Sequence, residues 1–501
     1  MEEQIREHER IIIKLKRARN SLLNVSKLPP EVLGDIFRRN VTLKDDFDRL
    51  EERSRNFLFV CHHWSEVALR TPEVWSFWGD NPTDWTRWHR YSRTAPLDLV
   101  LGDEYYDGRT FNITLCDALR DRAARDTIRR IHLFSENRVV LSPIISPLTS
   151  ASKGVRSNSV ESFVLLNYDD NPVDVSDFFT HYRFPKLQRL ELHNCSITSW
   201  DLLASRPTVL TSLTLRVGRP SPISTTSQLF SILASNPSLR RVSLSEYAIP
   251  TDGGGESPYR VSLHYLTELE LDGGSQHIAG LLHQLDHPSN LYLDITLDDH
   301  TVTNIPRMVG PYLRDYLRRR NWSPNGLGLS ISQFRDHITL NIGDVGGIDL
   351  STSVRGQITP FVVIAVYLCE EPRDLLGKAF LDLVSYTPRD EVIHLHSRGE
   401  PAVMEDMSAR FPKLRTLHSE LIPLLAVFPG SSLDGNRGIP TSLQHIFLEQ
   451  PGMDGPGDWN PLTSFLACRS SSGNRLDSLT LDRSPHMCLE VQEHITGVLI
   501  R

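Results

Sequence analysis

An apolar pattern of the form LxxLxL recurs along this 501-residue chain, and no other feature limits its fold as much. It occurs at Ile128, Ile131, Leu133, then at Val160, Phe163, Leu165, and most cleanly at Leu187, Leu190, Leu192. Leu210, Leu213, Leu215; Leu239, Val242, Leu244; and Leu266, Leu269, Leu271 continue it. Near the C-terminus it returns at Leu443, Ile446, Leu448 and at Leu476, Leu479, Leu481. The third members of the first six copies are 32, 27, 23, 29 and 27 residues apart. The last two residues of each triplet are two apart, so a strand turns both to one face. A unit of this size cannot close that face alone, and stacking one unit on the next does so. The expected fold class is therefore α/β: an irregular solenoid with a parallel sheet over residues 79–501.

The copy LQRLELHNCSI at 187–197 carries more, because Cys195 and Ile197 complete the form LxxLxLxxN/CxL. It resembles a leucine-rich repeat, with Cys195 filling the turn beneath the strand. The segments 200–205, 227–235 and 280–285 have the apolar content of short helices between strands. Residues 300–440 follow the pattern poorly, with strands expected at 337–342, 361–368 and 391–396 and a helix at 374–384. FPKL at 184–187 opens a copy and recurs at 411–414. The 300–440 stretch fits either a degenerate continuation of the solenoid or a separate α/β domain.

Residues 1–25 differ from all this. Ile5 and Ile12 make one row seven apart, continued by Arg19, and Leu15 and Leu22 make a second that begins at His8. This is an amphipathic helix with a polar interruption in each row. It either packs on its own chain or self-associates.

Residues 26–78 form a third segment. Leu28-Pro29-Pro30 suits a helix start, Glu31 favours the helix N-terminus, and Val32, Leu33, Ile36 and Phe37 follow at helical spacing. After a charged stretch, NFLFVCHHWSEVALR reads as a second helix lined by Phe57, Val60, Cys61, Trp64, Val67 and Ala68. The strings LPPEVLGDIF and FVCHHWSEVA, with the tail TPEVWSFW, resemble the F-box of fungal F-box proteins. Leu28, Pro29, Glu31, Ile36, Phe37, Val60, Cys61 and Trp64 match that motif position by position. The charged insertion from Lys44 to Arg55 departs from it. The resemblance implies a small helical F-box domain over 26–78. It also implies docking of residues 26–70 on the Skp adaptor, and through it on a cullin scaffold, of a ubiquitin ligase. The adaptor-facing residues would be Leu28, Pro29, Glu31, Val32, Leu33, Ile36, Phe37, Val60, Cys61 and Trp64. The repeats would then bind an unknown protein substrate in the cytoplasm or nucleus. The alternative is a repeat scaffold whose helical hairpin caps the sheet.

If the leucines of each strand point inward, their flanking residues point out. These are Arg189, Glu191, His193; Thr214, Arg216; Arg241, Ser243; and Glu268, Glu270, Asp272, the expected substrate-binding positions. They pass from basic and mixed to wholly acidic.

Composition narrows the remaining classes. With 54 Lys and Arg against 62 Asp and Glu, the net charge of −8 gives no electrostatic basis for a nucleic-acid partner. The longest apolar run, Phe361 to Cys369, is far below the ~20 residues a membrane helix needs. Six irregularly spaced cysteines form no disulfide framework and suit a reducing compartment. No metal or cofactor motif and no catalytic constellation is present. His394 and His396 on one strand lack a third ligand nearby in sequence. The glycine loops at 252–255 and 346–347, and Arg318 to Arg320 beside Trp322, suit surface loops and a solvated helix end. An adaptor without bond chemistry of its own is the expectation.

Overall fold

The computed structural model describes residues 1–42, 56–78, 90–102, 127–135, 159–176, 179, 184–197, 200–204, 209–217, 225–246, 248–249, 260–298, 304–320, 327–333, 337–345, 358–367, 381–388, 390–398, 410–420, 441–449, 460–481 and 498–500. The chain divides into two compact units, Met1–Leu239 and Arg240–Arg501.

The first unit begins with helix α1 (Glu2–Ser21), in which no residue is buried. Helix α2 (Pro30–Thr42) follows, then a helical turn at 56–60 and helix α3 (His62–Arg70). Expected as one continuous helix, 56–70 instead breaks at Cys61, whose extended backbone (φ −163°, ψ 169°) starts α3. On the two sides of the break Phe57, Val67 and Ala68 are buried, while Val60 faces out. Leu33, Phe37, Phe57, Val67, Ala68, Val74 and Trp75 form one core that reaches Val100 and Phe134 of the sheet. Phe37 stacks on Phe57 at 4.2 Å between centroids and tilts against Trp64 at 5.0 Å. The TPEVW tail is tied back by the Trp75 indole, which donates to the Ala68 carbonyl at 2.7 Å. It leads directly into β1 (Phe77–Trp78), the first strand of the sheet.

That sheet continues in chain order through β2 (Leu97–Gly102), β3 (Ile128–Ser135), β4 (Ser162–Asn167), β5 (Arg189–His193) and β6 (Ser212–Val217), every pair parallel. Short helices α4 (Asp201–Ala204) and α5 (Thr226–Ser235) lie where the apolar segments 200–205 and 227–235 are. Leu99, Ile131, Phe163, Leu190 and Leu213 are register partners from strand to strand, and so are Leu133, Leu165, Leu192 and Leu215. All are buried. Leu101 pairs with Leu133 in the same ladder.

The second unit repeats this logic over β7 (Arg241–Glu246), β8 (Glu268–Gly273) and β9 (Tyr292–Asp298), with α6 (Ser275–Gln284) between β8 and β9. Helix α7 (Ile305–Arg319) packs on α6. Strands β10 (Leu327–Gln333), β11 (His337–Val345) and β12 (Ile358–Tyr367) then enter the sheet in reverse order. β12 pairs with β9, β11 lies antiparallel between β12 and β10, and β10 pairs parallel with β13 (Val392–Arg398). From there β14 (Thr416–Glu420), β15 (His445–Glu449), β16 (Ser478–Leu481) and β17 (Val498–Ile500) restore parallel chain order, with α8 (Asn460–Ser471) between β15 and β16. The expected strands at 337–342, 361–368 and 391–396 correspond to β11, β12 and β13. Of the helix expected at 374–384, residues 381–384 are helical and the rest lies outside the described residues.

The antiparallel detour leaves the core ladder unbroken. Val242, Leu269, Leu293, Val362, Ile342, Leu329, Leu395, Leu417, Ile446 and Leu479 are successive register partners. None exposes more than 1% of its surface.

A second, polar regularity recurs in both units. Gln188 and Arg189 donate their amides to the Glu161 carbonyl, and Thr211 and Ser212 to that of Gln188. In the second unit Thr267 and Glu268 donate to the Arg240 carbonyl, and Gln444 and His445 to that of Arg415. The turn before each strand closes on itself: Leu187 donates to Phe184, Leu266 to Leu263 and Leu414 to Phe411, each at 3.1 Å. The two FPKL strings therefore form the same turn. Cys195 is buried, and its thiol lies 3.2 Å from the His193 carbonyl and 3.9 Å from that of Leu165. Burial pushes its pKa up, so the group stays a neutral thiol.

Because the ladder residues fill tightly packed positions, Leu417→Ala is expected to destabilise the second unit by about 2–5 kcal/mol. Lys413→Ala, an exposed change in the preceding turn, should alter stability by less than about 0.5 kcal/mol. Midpoints of chemical denaturation of the full chain check the contrast.

Candidate interaction surfaces

The first surface lies on the helical module. Helix α2 has apolar residues on two faces. Leu33 and Phe37, four apart, point into the aromatic core and are fully buried. The expectation that they face a partner is corrected here: they hold α2 against the rest of the module. On the other face Pro29, Glu31, Val32 and Ile36 are exposed, and Leu28 is half-buried. Val60 is 53% exposed and its neighbour Phe59 81%. Cys61 is half-buried, and Trp64 packs its ring against the core. The Trp64 indole nitrogen is shielded from solvent and has no hydrogen-bond partner among the described residues. Phe59 is a surface residue that motif matching passes over. The signal was present in FLFV, where four consecutive apolar residues cannot all face inward on a helix.

The second kind of surface is the face of each sheet opposite the leucine ladder. In the first unit Arg130, Ser162, Arg189 and Ser212 form one cross-strand row, and His132, Val164, Glu191 and Thr214 the next. Phe134, Leu166, His193 and Arg216 form a third. The Arg189 guanidinium lies 2.7 Å from Glu191, and the His132 ring lies 3.0 Å from the Ser162 hydroxyl. Burial, reinforced by Arg189 and Arg130, lowers His132 to about 4, so its imidazole is neutral near pH 7. This face is mixed in charge, as expected from its sequence.

In the second unit the rows are Arg241, Glu268, Tyr292 and Ser243, Glu270, Asp294 and Ser245, Asp272, Thr296. Glu268 is ion-paired with Arg241 at 2.9 Å. Asp294 is raised to about 6, chiefly by burial and then by Glu270. The Tyr292 hydroxyl, raised to about 12 by burial and by Asp294, bonds to that carboxylate. Asp294 and Tyr292 join the predicted Glu268, Glu270 and Asp272 in one acidic area. Sequence reasoning missed both because the spacing Leu291–Leu293 is one residue shorter than the pattern requires. The plain alternation of LYLDITL was the available signal.

Farther along this face His396 on β13 stacks on His418 of β14 at 4.3 Å, and His418 tilts against Phe447. His394 is 4% exposed, and among the described residues neither ring nitrogen has a hydrogen-bond partner. Burial and His418 lower it to about 4. His418 is the neighbour that sequence distance hid. Among the described residues no three His, Cys, Asp or Glu side chains are grouped to hold a metal ion. The glycine loops at 252–255 and 346–347 and Trp322 lie outside the described residues. Arg318 and Arg319 end helix α7, and Arg320 caps it, donating to the Tyr316 hydroxyl at 3.1 Å. Among the described residues no helix is long and apolar enough to cross a membrane.

No known family matches the chain, and no curated protein does. Among solved structures, the leucine-rich repeat-containing protein LegL7 from Legionella pneumophila is similar at 12% identity with a TM-score of 0.24. The match covers 70% of this chain and 86% of that one.

A carboxylate whose folded pKa lies above its unfolded value stabilises the fold only while protonated. The contribution of Asp294 is full below about pH 4 and is lost as the pH rises through about 6. Asp294→Asn is therefore expected to raise stability at pH 7.5 relative to the parent chain and to leave it nearly unchanged at about pH 4. Thermal unfolding at the two pH values measures this.

Proposed function

We propose that this chain is a non-enzymatic substrate-recognition adaptor of a Skp–cullin–F-box ubiquitin ligase. In this reading the helical module docks the Skp adaptor, and the sheet faces bind a target protein. The observation that carries it is the apolar row Pro29, Val32, Ile36 with Phe59 and Val60. It stays outside a module whose own core is already complete, and three of its members, Pro29, Ile36 and Val60, match the F-box pattern. Exposed apolar side chains in such a cluster mark a contact surface. Each large one gains roughly 1.5–3 kcal/mol on full burial. An adaptor of this kind acts through proximity, raising the effective concentration of a target lysine near the ubiquitin-charged enzyme. In the cell it would work in cytoplasm or nucleus, without metal, cofactor, membrane or nucleic acid.

A second reading has its own support. The module's core runs into Val100 and Phe134, and its tail becomes strand β1. A cap for the sheet needs those same contacts. Capture of purified Skp adaptor by the full chain separates the two. Val32→Asp with Ile36→Asp should abolish capture while circular dichroism is unchanged, because both residues lie outside the core. Full capture by this variant, or none by the parent chain, leaves the cap as the better account. Phe37→Ala is unsuitable as a probe, since a buried aromatic truncation costs about 3–5 kcal/mol of stability.

For the target we propose a protein with a basic segment, steered to Glu270, Asp272 and Asp294. Glu268 is less available because Arg241 neutralises it. Glu270→Lys should remove the recovered target while adaptor capture persists. An unchanged set of recovered proteins would place the target on another surface. Quantitative recovery from extracts expressing parent and variant chains reads the outcome.

A further inference from the structure

Helix α1 is built as a helix, yet none of its residues is buried. Glu2 and Glu3 stand in its first turn and Arg19 in its last, each favouring the helix dipole. Arg6 pairs with Glu2, and Arg10 with Glu7. Its apolar residues remain in solvent, from Ile11 at 44% exposed to Leu15 at 65%, and so does Leu22, just past its end, at 74%. In proteins most helical stability comes from packing of an amphipathic face, and an uncovered one is usually completed by packing.

The charge distribution selects the occupant. Every carboxylate of α1 (Glu2, Glu3, Glu7, Glu9) lies in its first half, and Lys14, Lys16, Arg17 and Arg19 fill the second. We propose that the α1 helices of two copies of this chain pair antiparallel through the Ile5–Ile12 and Leu15–Leu22 rows. In the register that sets Ile12 against Leu15 of the second copy, Ile5 meets Leu22 at both ends. The two polar interruptions, His8 and Arg19, then face each other instead of opposing apolar residues. Glu9 lies beside Lys16 of the second copy, and neither makes an ion pair within its own chain among the described residues. Ile11 and Ala18 widen the apolar seam on the other flank, while Ile13 stays outside it. A parallel pair would set Arg19 against Arg19 and stack the basic halves together. That arrangement carries the like-charge penalty which the antiparallel one removes.

The pairing is independent of the proposed ligase role. It gives each assembly two copies of every interaction surface, an avidity device for a target with repeated sites.

Sedimentation equilibrium of the full chain from about 1 to about 100 µM tests the proposal. The expected mass is that of a dimer in reversible equilibrium with monomer. Leu15→Asp should leave monomer only, with helix content preserved apart from α1. Glu9→Lys should weaken the dimer roughly tenfold, since two symmetry-related pairs become repulsions. Adding Lys16→Glu in the same chain should restore it, because the exchanged charges then attract across both symmetry-related contacts. A parent chain that stays monomeric at every concentration overturns the proposal. So does a dimer indifferent to Leu15→Asp, or a charge-swapped chain that associates no better than the single variant.

Discussion

The structure depends on one constraint: an aliphatic ladder in which each strand can hide its inward residues only against those of its neighbours. A single strand offers two such residues, too few to offset the entropy of ordering some 25–30 residues of chain. Stacking multiplies the contact, and strict register follows, because a slip of one residue would turn the ladder outward. The antiparallel detour of β10, β11 and β12 shows what the constraint leaves free. Strand direction and chain order both change there, yet Val362, Ile342 and Leu329 fall on the ladder between Leu293 and Leu395. Register of apolar side chains is preserved, and topology is not.

The same alternation that buries the leucines fixes the opposite face. Residues two apart share a side, so Glu268, Glu270 and Asp272 stand in one column, with Tyr292 and Asp294 beside them. Crowding and partial burial together raise Asp294 and Tyr292, leaving that carboxylate close to half-protonated around pH 6. A cation arriving there would relieve the repulsion among the carboxylates, and this gives the proposed basic target a physical basis.

The helical module shows how packing divides residues that a pattern groups together. Val32, Leu33, Ile36 and Phe37 are equally apolar and adjacent in pairs. Contact with Phe57 and Trp64 turns Leu33 and Phe37 inward, and Val32 and Ile36 are left outside. Phe57 and Val60 divide in the same way: Phe57 stacks on Phe37, and Val60 is left outside. The core so formed continues into Val100 and Phe134, and the module is continuous with the sheet through Trp75 and β1.

The sequence by itself determined where the regular strands lie, which of their residues face in, and the mixed and acidic character of the outward rows. It could do so because these properties follow from a period of two within each copy. It did not determine the strand order through 292–420, the kinship of His394 with His418, or the placing of Asp294 beside Glu270. Each of those is set by pairing between strands distant in sequence. Nor could it decide which face of α2 is core. Hydrophobicity is a property of a residue, whereas burial depends on what the rest of the chain brings against it.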